Sequence, residues 1–129
     1  MKWIPLIVVI VIFLYVALPK VKAMNPEEAV ALLRKGALLI DVRTPGEFAS
    51  QSVPGSTNYP LDQIEKMVAE AEINKDQPIL LFCRSGRRSG IATSNLKSLG
   101  YEQVYNLGAF GNAMKTAQLA SAGEAEKDS

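Results

Sequence analysis

Histidine is absent from the 129 residues, and cysteine occurs once, at Cys83. The first absence excludes Cys-His and Ser-His nucleophile pairs, histidine general bases and nearly every common zinc site. The second excludes an intramolecular disulfide and any second thiol that could resolve an oxidised one. Charge of one sign is lacking too. Lys and Arg number 14 against 13 Asp and Glu, which gives no reason to expect nucleic acid or a strongly acidic partner. Chemistry must therefore run on Cys83, carboxylates, Arg, Lys and backbone amides, and neither a metal nor a cofactor is expected.

Trp3 to Leu18 is a run without charge, WIPLIVVIVIFLYVAL, preceded only by Met1 and Lys2. As a helix it would span roughly 24 Å, a little short of the ~30 Å hydrocarbon layer. Pro19 ends it, and Val21-Lys22-Ala23 follows. Val21 and Ala23 suit the −3 and −1 positions of a signal-peptidase site, so residues 1–23 read as a signal peptide cleaved after Ala23. The alternative is an uncleaved anchor through residues 3–18, which Lys20 and Lys22 favour. The balance leans slightly to cleavage, and either way the chain is addressed to the cell envelope: exported to the periplasm, or held at a membrane.

Residues 24–118 read as one domain. Asn25-Pro26-Glu27-Glu28 is a helix start, with Ala29, Leu32 and Leu33 on one face and Gly36 as the stop. Leu38 to Val42 is an apolar run of strand length, as for a strand buried on both sides. Thr44-Pro45-Gly46-Glu47 has capping-box spacing and opens a short helix through Ala49. A short strand is expected near Asn58-Tyr59 and a helix from Leu61 or Asp62 to Ala71. Pro78 to Phe82 is the second buried strand and delivers Cys83 at its C-terminal end. Gly86 to Leu99 reads as loop into helix, with Ile91, Leu96 and Leu99 inward and Gly100 as the stop. A short strand over Gln103–Asn106 and a last helix over Ala109–Gln118 follow, and residues 119–129 read as a disordered tail. Strands separated by helices predict an α/β fold with a mainly parallel central sheet and helices on both faces.

Ligands of open parallel sheets bind at the C-terminal strand ends. Cys83 stands there, followed by Arg84-Ser85-Gly86-Arg87-Arg88 and a helix. Such a loop can aim backbone N–H groups and the positive helix end at one sulfur. A free thiol of pKa ~8.5 is only about 3% thiolate at pH 7. Without histidine, only loop amides and arginines can lower it. A lone cysteine is more often a packed core residue, but a packing role gives no reason for three arginines within five residues. The alternative for those arginines is a solvated basic turn. Like charges so close to a strand end favour an anion instead.

The stretch CRSGRRS, with DVRTPGEF upstream and VPGSTNYP between them, resembles the single-domain rhodanese family from about Asn25 to Met114. The resemblance implies a rhodanese-like three-layer domain and a thiosulfate:cyanide type of sulfurtransferase. Its partners would be a sulfane-sulfur donor such as thiosulfate, a thiol or cyanide acceptor, and a protein sulfur acceptor. It makes Cys83 the catalytic residue, carrying a persulfide, and Arg84, Ser85, Gly86, Arg87 and Arg88 the substrate-binding loop. Asp41, Arg43 and Glu47 match family positions read as structural support, with Arg43 pairing either Asp41 or Glu47. This chain departs from the family at Ser52-Val53-Pro54-Gly55, where a histidine is frequent before Pro-Gly. It departs again at Gly108-Ala109-Phe110, where Gly-Gly and a nearby Trp are frequent.

Two other classes compete. Related cysteine phosphatases and arsenate reductases place five residues between Cys and Arg. Here four separate Cys83 from Arg88, which suits one sulfur better than a tetrahedral oxyanion. A persulfide carrier, or a module that binds a partner or an anion, would need the same loop as the enzyme. Turnover separates the carrier from the catalyst.

Overall fold

The computed structural model describes residues 4–17 and 23–127. Trp3, Leu18 and Pro19 to Lys22, with most of the expected cleavage site, lie outside the described residues, as do Asp128 and Ser129. Helix α1 (Ile4–Ala17) exposes its apolar side chains from Leu6 to Phe13. No helix among the described residues is long and apolar enough to cross a membrane.

The domain begins where capping predicts. Helix α2 (Pro26–Arg34) has Asn25 as N-cap, its side chain accepting from the Glu27 N–H at 2.8 Å. Strand β1 (Leu38–Asp41) is buried from Leu39 onward, and α3 (Pro45–Ser50) opens on the expected capping box of Thr44 and Glu47. Strand β2 (Thr57–Asn58) and helix α4 (Ile64–Glu70) follow, then β3 (Ile79–Cys83), α5 (Arg87–Ser98), β4 (Val104–Ala109) and α6 (Phe110–Lys127).

The four strands are parallel in the order β2-β1-β3-β4. Successive side chains of a strand face opposite ways, and every residue of β3 is buried. Ile79, Leu81 and Cys83 join Ile64 and Val68 of α4 and Ala92 and Leu96 of α5. Leu80 and Phe82 join Ala29 of α2 and Ala113 and Ala117 of α6 on the other face. Burial on both sides makes β3 a continuous apolar run, and the result is a three-layer α/β domain.

Three elements differ from the sequence reading. On α5, Ile91 and Leu99 are exposed, and the inward face is Ser89, Ala92, Thr93 and Leu96. Three of these four are small, which lets the start of α5 lie close to the sheet; apolar character alone gives the wrong face. Strand β4 runs to Ala109 rather than stopping at Asn106, because Leu107 bulges and Gly108 takes φ +95°. Helix α6 continues past Gln118 to Lys127, so the tail expected from residue 119 is helical that far. Ala, Glu and Lys are strong helix formers even without an apolar stripe, and the Arg34 guanidinium donates to the Leu119 carbonyl at 3.3 Å.

Candidate active site

Cys83 is the last residue of β3 and is fully buried. The chain turns back sharply behind it. Gly86 takes φ +95° as the cap of α5, and its N–H donates to the Cys83 sulfur at 3.0 Å. A Cβ on Gly86 would stand 3.3 Å from the Gly108 Cα, a tight contact, so the loop and the end of β4 approach closely here. Ser85 bridges to Ala109, closing the loop against the end of β4. The N-terminal end of α5 adds its positive partial charge to the sulfur's surroundings.

Burial alone would push the Cys83 thiol up. The Ser89 hydroxyl and the backbone N–H groups of Ser89, Ser85 and Gly86 outweigh it and bring the thiol below its ordinary value. These hydrogen bonds, not arginine side chains, are the main cause. Arg84 and Arg87 are exposed, and Arg88, hydrogen-bonded elsewhere, acts on the sulfur only through the attraction of its charge.

Arg88 forms a bidentate pair with Glu47, at 2.6 and 3.0 Å. It thereby ties the first turn of α5 to α3, where Glu47 also closes the capping box by accepting from Thr44. The pairing with Arg88 chiefly holds the Glu47 carboxyl down at about 2, helped by Thr44 against a smaller opposing effect of burial. A depressed carboxyl pKa means the contribution is complete above the ordinary 4.5 and lost as pH falls through about 2. Both side chains remain about one third exposed, so the pair positions the loop more than it stabilises the fold.

Of the two partners open to Arg43, the structure selects Asp41. Asp41 is fully buried and accepts from the Arg43 backbone N–H at 2.8 Å and from its guanidinium at 2.7–3.0 Å. The guanidinium also donates to the Gln51 carbonyl at 2.6 Å and lies 4.6 Å over the Phe110 ring. Beside it a cleft of about 580 Å³ is lined by Arg43, Glu47, Gln51, Arg84 and Phe110. Arg84 thus lines this cleft, and no hydrogen bond places it on the sulfur.

Two residues of the site escape sequence reasoning. Ser89 is fully buried with its hydroxyl 3.5 Å from the Cys83 sulfur, and it also bonds Asn106. The only sequence signal for Ser89 is its place one turn into α5. Asn106 gives none, because it reaches the loop only through strand pairing. Among the described residues no group of three His, Cys, Asp or Glu is placed to hold a metal ion.

Known proteins resemble this chain over its domain. A family model described as Rhodanese-like domain matches residues 25–110. An uncharacterised protein of Bacillus subtilis, YqhL, is 41% identical over 86 residues, covering 67% of this chain and 66% of that protein. The thiosulfate sulfurtransferase PspE of Escherichia coli is 36% identical over 69 residues, 54% of this chain and 66% of its own. The thiosulfate sulfurtransferase GlpE of Pseudomonas syringae is 35% identical, over 67% of this chain and 79% of that one. The matches to YqhL and PspE thus fall just under two thirds of those proteins' length. Among solved structures, a rhodanese with anions from Escherichia coli superimposes with a TM-score of 0.57 at 32% identity, covering 60% of this chain and 91% of that one. The human single-domain sulfurtransferase TSTD1 gives 0.57 at 26% identity, over 72% and 95%.

Proposed function

The chain belongs to the rhodanese-like domain family, and from that membership we propose that it is a sulfurtransferase that moves sulfane sulfur through a persulfide on Cys83. The observation that carries this reading is the buried sulfur at the end of β3 receiving the Gly86 N–H at 3.0 Å. The Cys83 thiolate attacks the outer sulfur of a donor such as thiosulfate. A Cys83–sulfur bond forms, the donor's S–S bond breaks, and sulfite leaves with the electron pair. Negative charge then sits on the outer persulfide sulfur, within reach of loop amides. Cyanide or a thiolate attacks that sulfur and returns Cys83 as a thiolate. The test is to expose the full chain to thiosulfate, record intact mass, then add cyanide in excess. Repeated thiocyanate production means catalysis. A single sulfur loaded and released once means a carrier, and no mass gain from any sulfane donor overturns the reading.

The arginines divide into two roles. Arg88 holds the loop through Glu47, so Arg88→Ala lowers kcat by about 10- to 100-fold, the loss expected for a charged hydrogen-bonded contact. Glu47→Gln acts the same way. Arg84 is exposed beside Cys83 and lines the adjoining cleft, so Arg84→Ala mainly raises KM for the thiosulfate dianion, and Arg87→Ala does so more mildly. Steady-state kinetics on these variants separates the roles. Equal small effects from Arg84, Arg87 and Arg88 would reduce the cluster to a solvated turn.

Export with cleavage after Ala23 is the proposed fate of residues 1–23. The domain starts at Met24, whose N–H donates to the Asn106 carbonyl at 2.8 Å and whose side chain packs on the α2–α6 face of the core. Fractionation of cells making the full chain should yield an envelope protein that begins at Met24 and is not membrane-bound. An intact N-terminus found only with membranes points to the anchor instead.

A further inference from the structure

Under the Cys83 loop, one hydroxyl proton faces two acceptors that cannot both have it. The Asn106 carboxamide is oriented by two backbone groups that each have only one possible role. Its Oδ1 accepts from the Gly108 N–H at 3.0 Å, and its Nδ2 donates to the Gly86 carbonyl at 3.2 Å. The Ser89 hydroxyl lies 2.7 Å from that same Oδ1. Two oxygens so close need a proton between them, and Oδ1 has none, so Ser89 supplies it. The hydroxyl has a single proton, and the Cys83 sulfur lies 3.5 Å away as a second acceptor. The Gly86 carbonyl, at 3.1 Å, already accepts from the Gly90 N–H and from Asn106 Nδ2. Ser89 and Cys83 are both fully buried, so Asn106 and the sulfur are the two claims on that proton.

We propose that Asn106 is a positioning residue of the sulfur-transfer site, competing with the Cys83 sulfur for the one proton of Ser89. While Cys83 is a thiol, Ser89 donates to Asn106 and leaves a lone pair for the S–H. Once that S–H proton has left to solvent, the hydroxyl turns about its Cβ–Oγ bond and donates to the thiolate, giving up Asn106. When a second sulfur is attached, the charge moves outward and the proton returns to Asn106. The competition keeps the thiolate from being held too firmly, and a less stabilised thiolate is the better nucleophile. This use in catalysis rests on the sulfurtransferase reading. The proton competition does not, and it can be measured without any sulfur donor.

The measurement is the pH dependence of Cys83 alkylation by iodoacetamide in the full chain. Asn106→Ala frees the Ser89 proton, so the inflection moves to lower pH. Below the inflection the rate rises on the order of three- to tenfold, as expected for one hydrogen bond gained by the thiolate. Ser89→Ala moves the inflection to higher pH, and adding Asn106→Ala to it changes nothing further. A second measurement uses the unaltered protein: the Asn106 side-chain amide resonances shift across the pH range in which Cys83 becomes reactive, and in Ser89→Ala they do not. An Asn106→Ala effect that persists without Ser89 overturns the proposal, as does an amide signal blind to Cys83 ionisation. Failure to load sulfur alongside the expected alkylation profiles would instead strike the sulfurtransferase reading alone.

Discussion

Cys83→Ser is expected to give a folded protein that gains no sulfur from thiosulfate and makes no thiocyanate. Cys83 is the only thiol in the chain, so no second residue can carry the persulfide. Serine nearly matches the cysteine in shape and keeps an acceptor for the Gly86 N–H, so the loop has no cause to rearrange. Its hydroxyl, however, is a weak nucleophile without an activating base, and the chain offers no histidine. Intact mass after donor treatment reads the result directly. Thermal unfolding of the variant checks that the fold survives. Residual transfer by a folded Cys83→Ser protein would remove Cys83 from the chemistry.

The largest effect on stability is expected from Asp41→Ala, which leaves the Arg43 guanidinium buried without a counter-charge. Asp41 is fully buried and Arg43 only 7% exposed, so water cannot replace the lost partner. Breaking such a pair typically costs about 3–5 kcal/mol. In a domain of this size that lowers Tm by more than about 10 °C. Replacing both, as in Asp41→Leu with Arg43→Met, removes the orphaned charge and should recover much of the loss. Thermal unfolding followed by circular dichroism measures both. A cost below about 1 kcal/mol for Asp41→Ala would mean that the pair does not hold the turn after β1. The Asn58 side chain, which donates to the Asp41 and Arg43 carbonyls at 3.0 and 2.9 Å, would then be the stronger tie.

How far each feature can be read from sequence depends on whether its cause is local. Asn25 and the Thr44–Glu47 capping box act within one turn of chain, and both appear in the structure as read. The run Pro78–Phe82 announces a doubly buried strand by composition alone, and Cys83 follows at its end. The inward face of α5 is not legible in this way, because it is chosen by how closely the first turn must approach the sheet. That requirement favours Ser89 and Ala92 over Ile91, against hydrophobicity. The end of α6 is hidden for a different reason, since helix propensity suffices there without any apolar period.

The class of fold, the strand-end place of Cys83 and the basic loop up to Arg88 can be read without coordinates, because strand periodicity and the order of residues around Cys83 are all written along the chain. Tertiary structure alone decided the partnerships. Arg43 takes Asp41, Arg88 takes Glu47 across 41 residues, and the Ser89 hydroxyl finds Asn106 across 17. Each choice depends on which strand ends and helix starts meet at one edge of the sheet. Parallel pairing of β1, β3 and β4 fixes that meeting, and no local pattern encodes it.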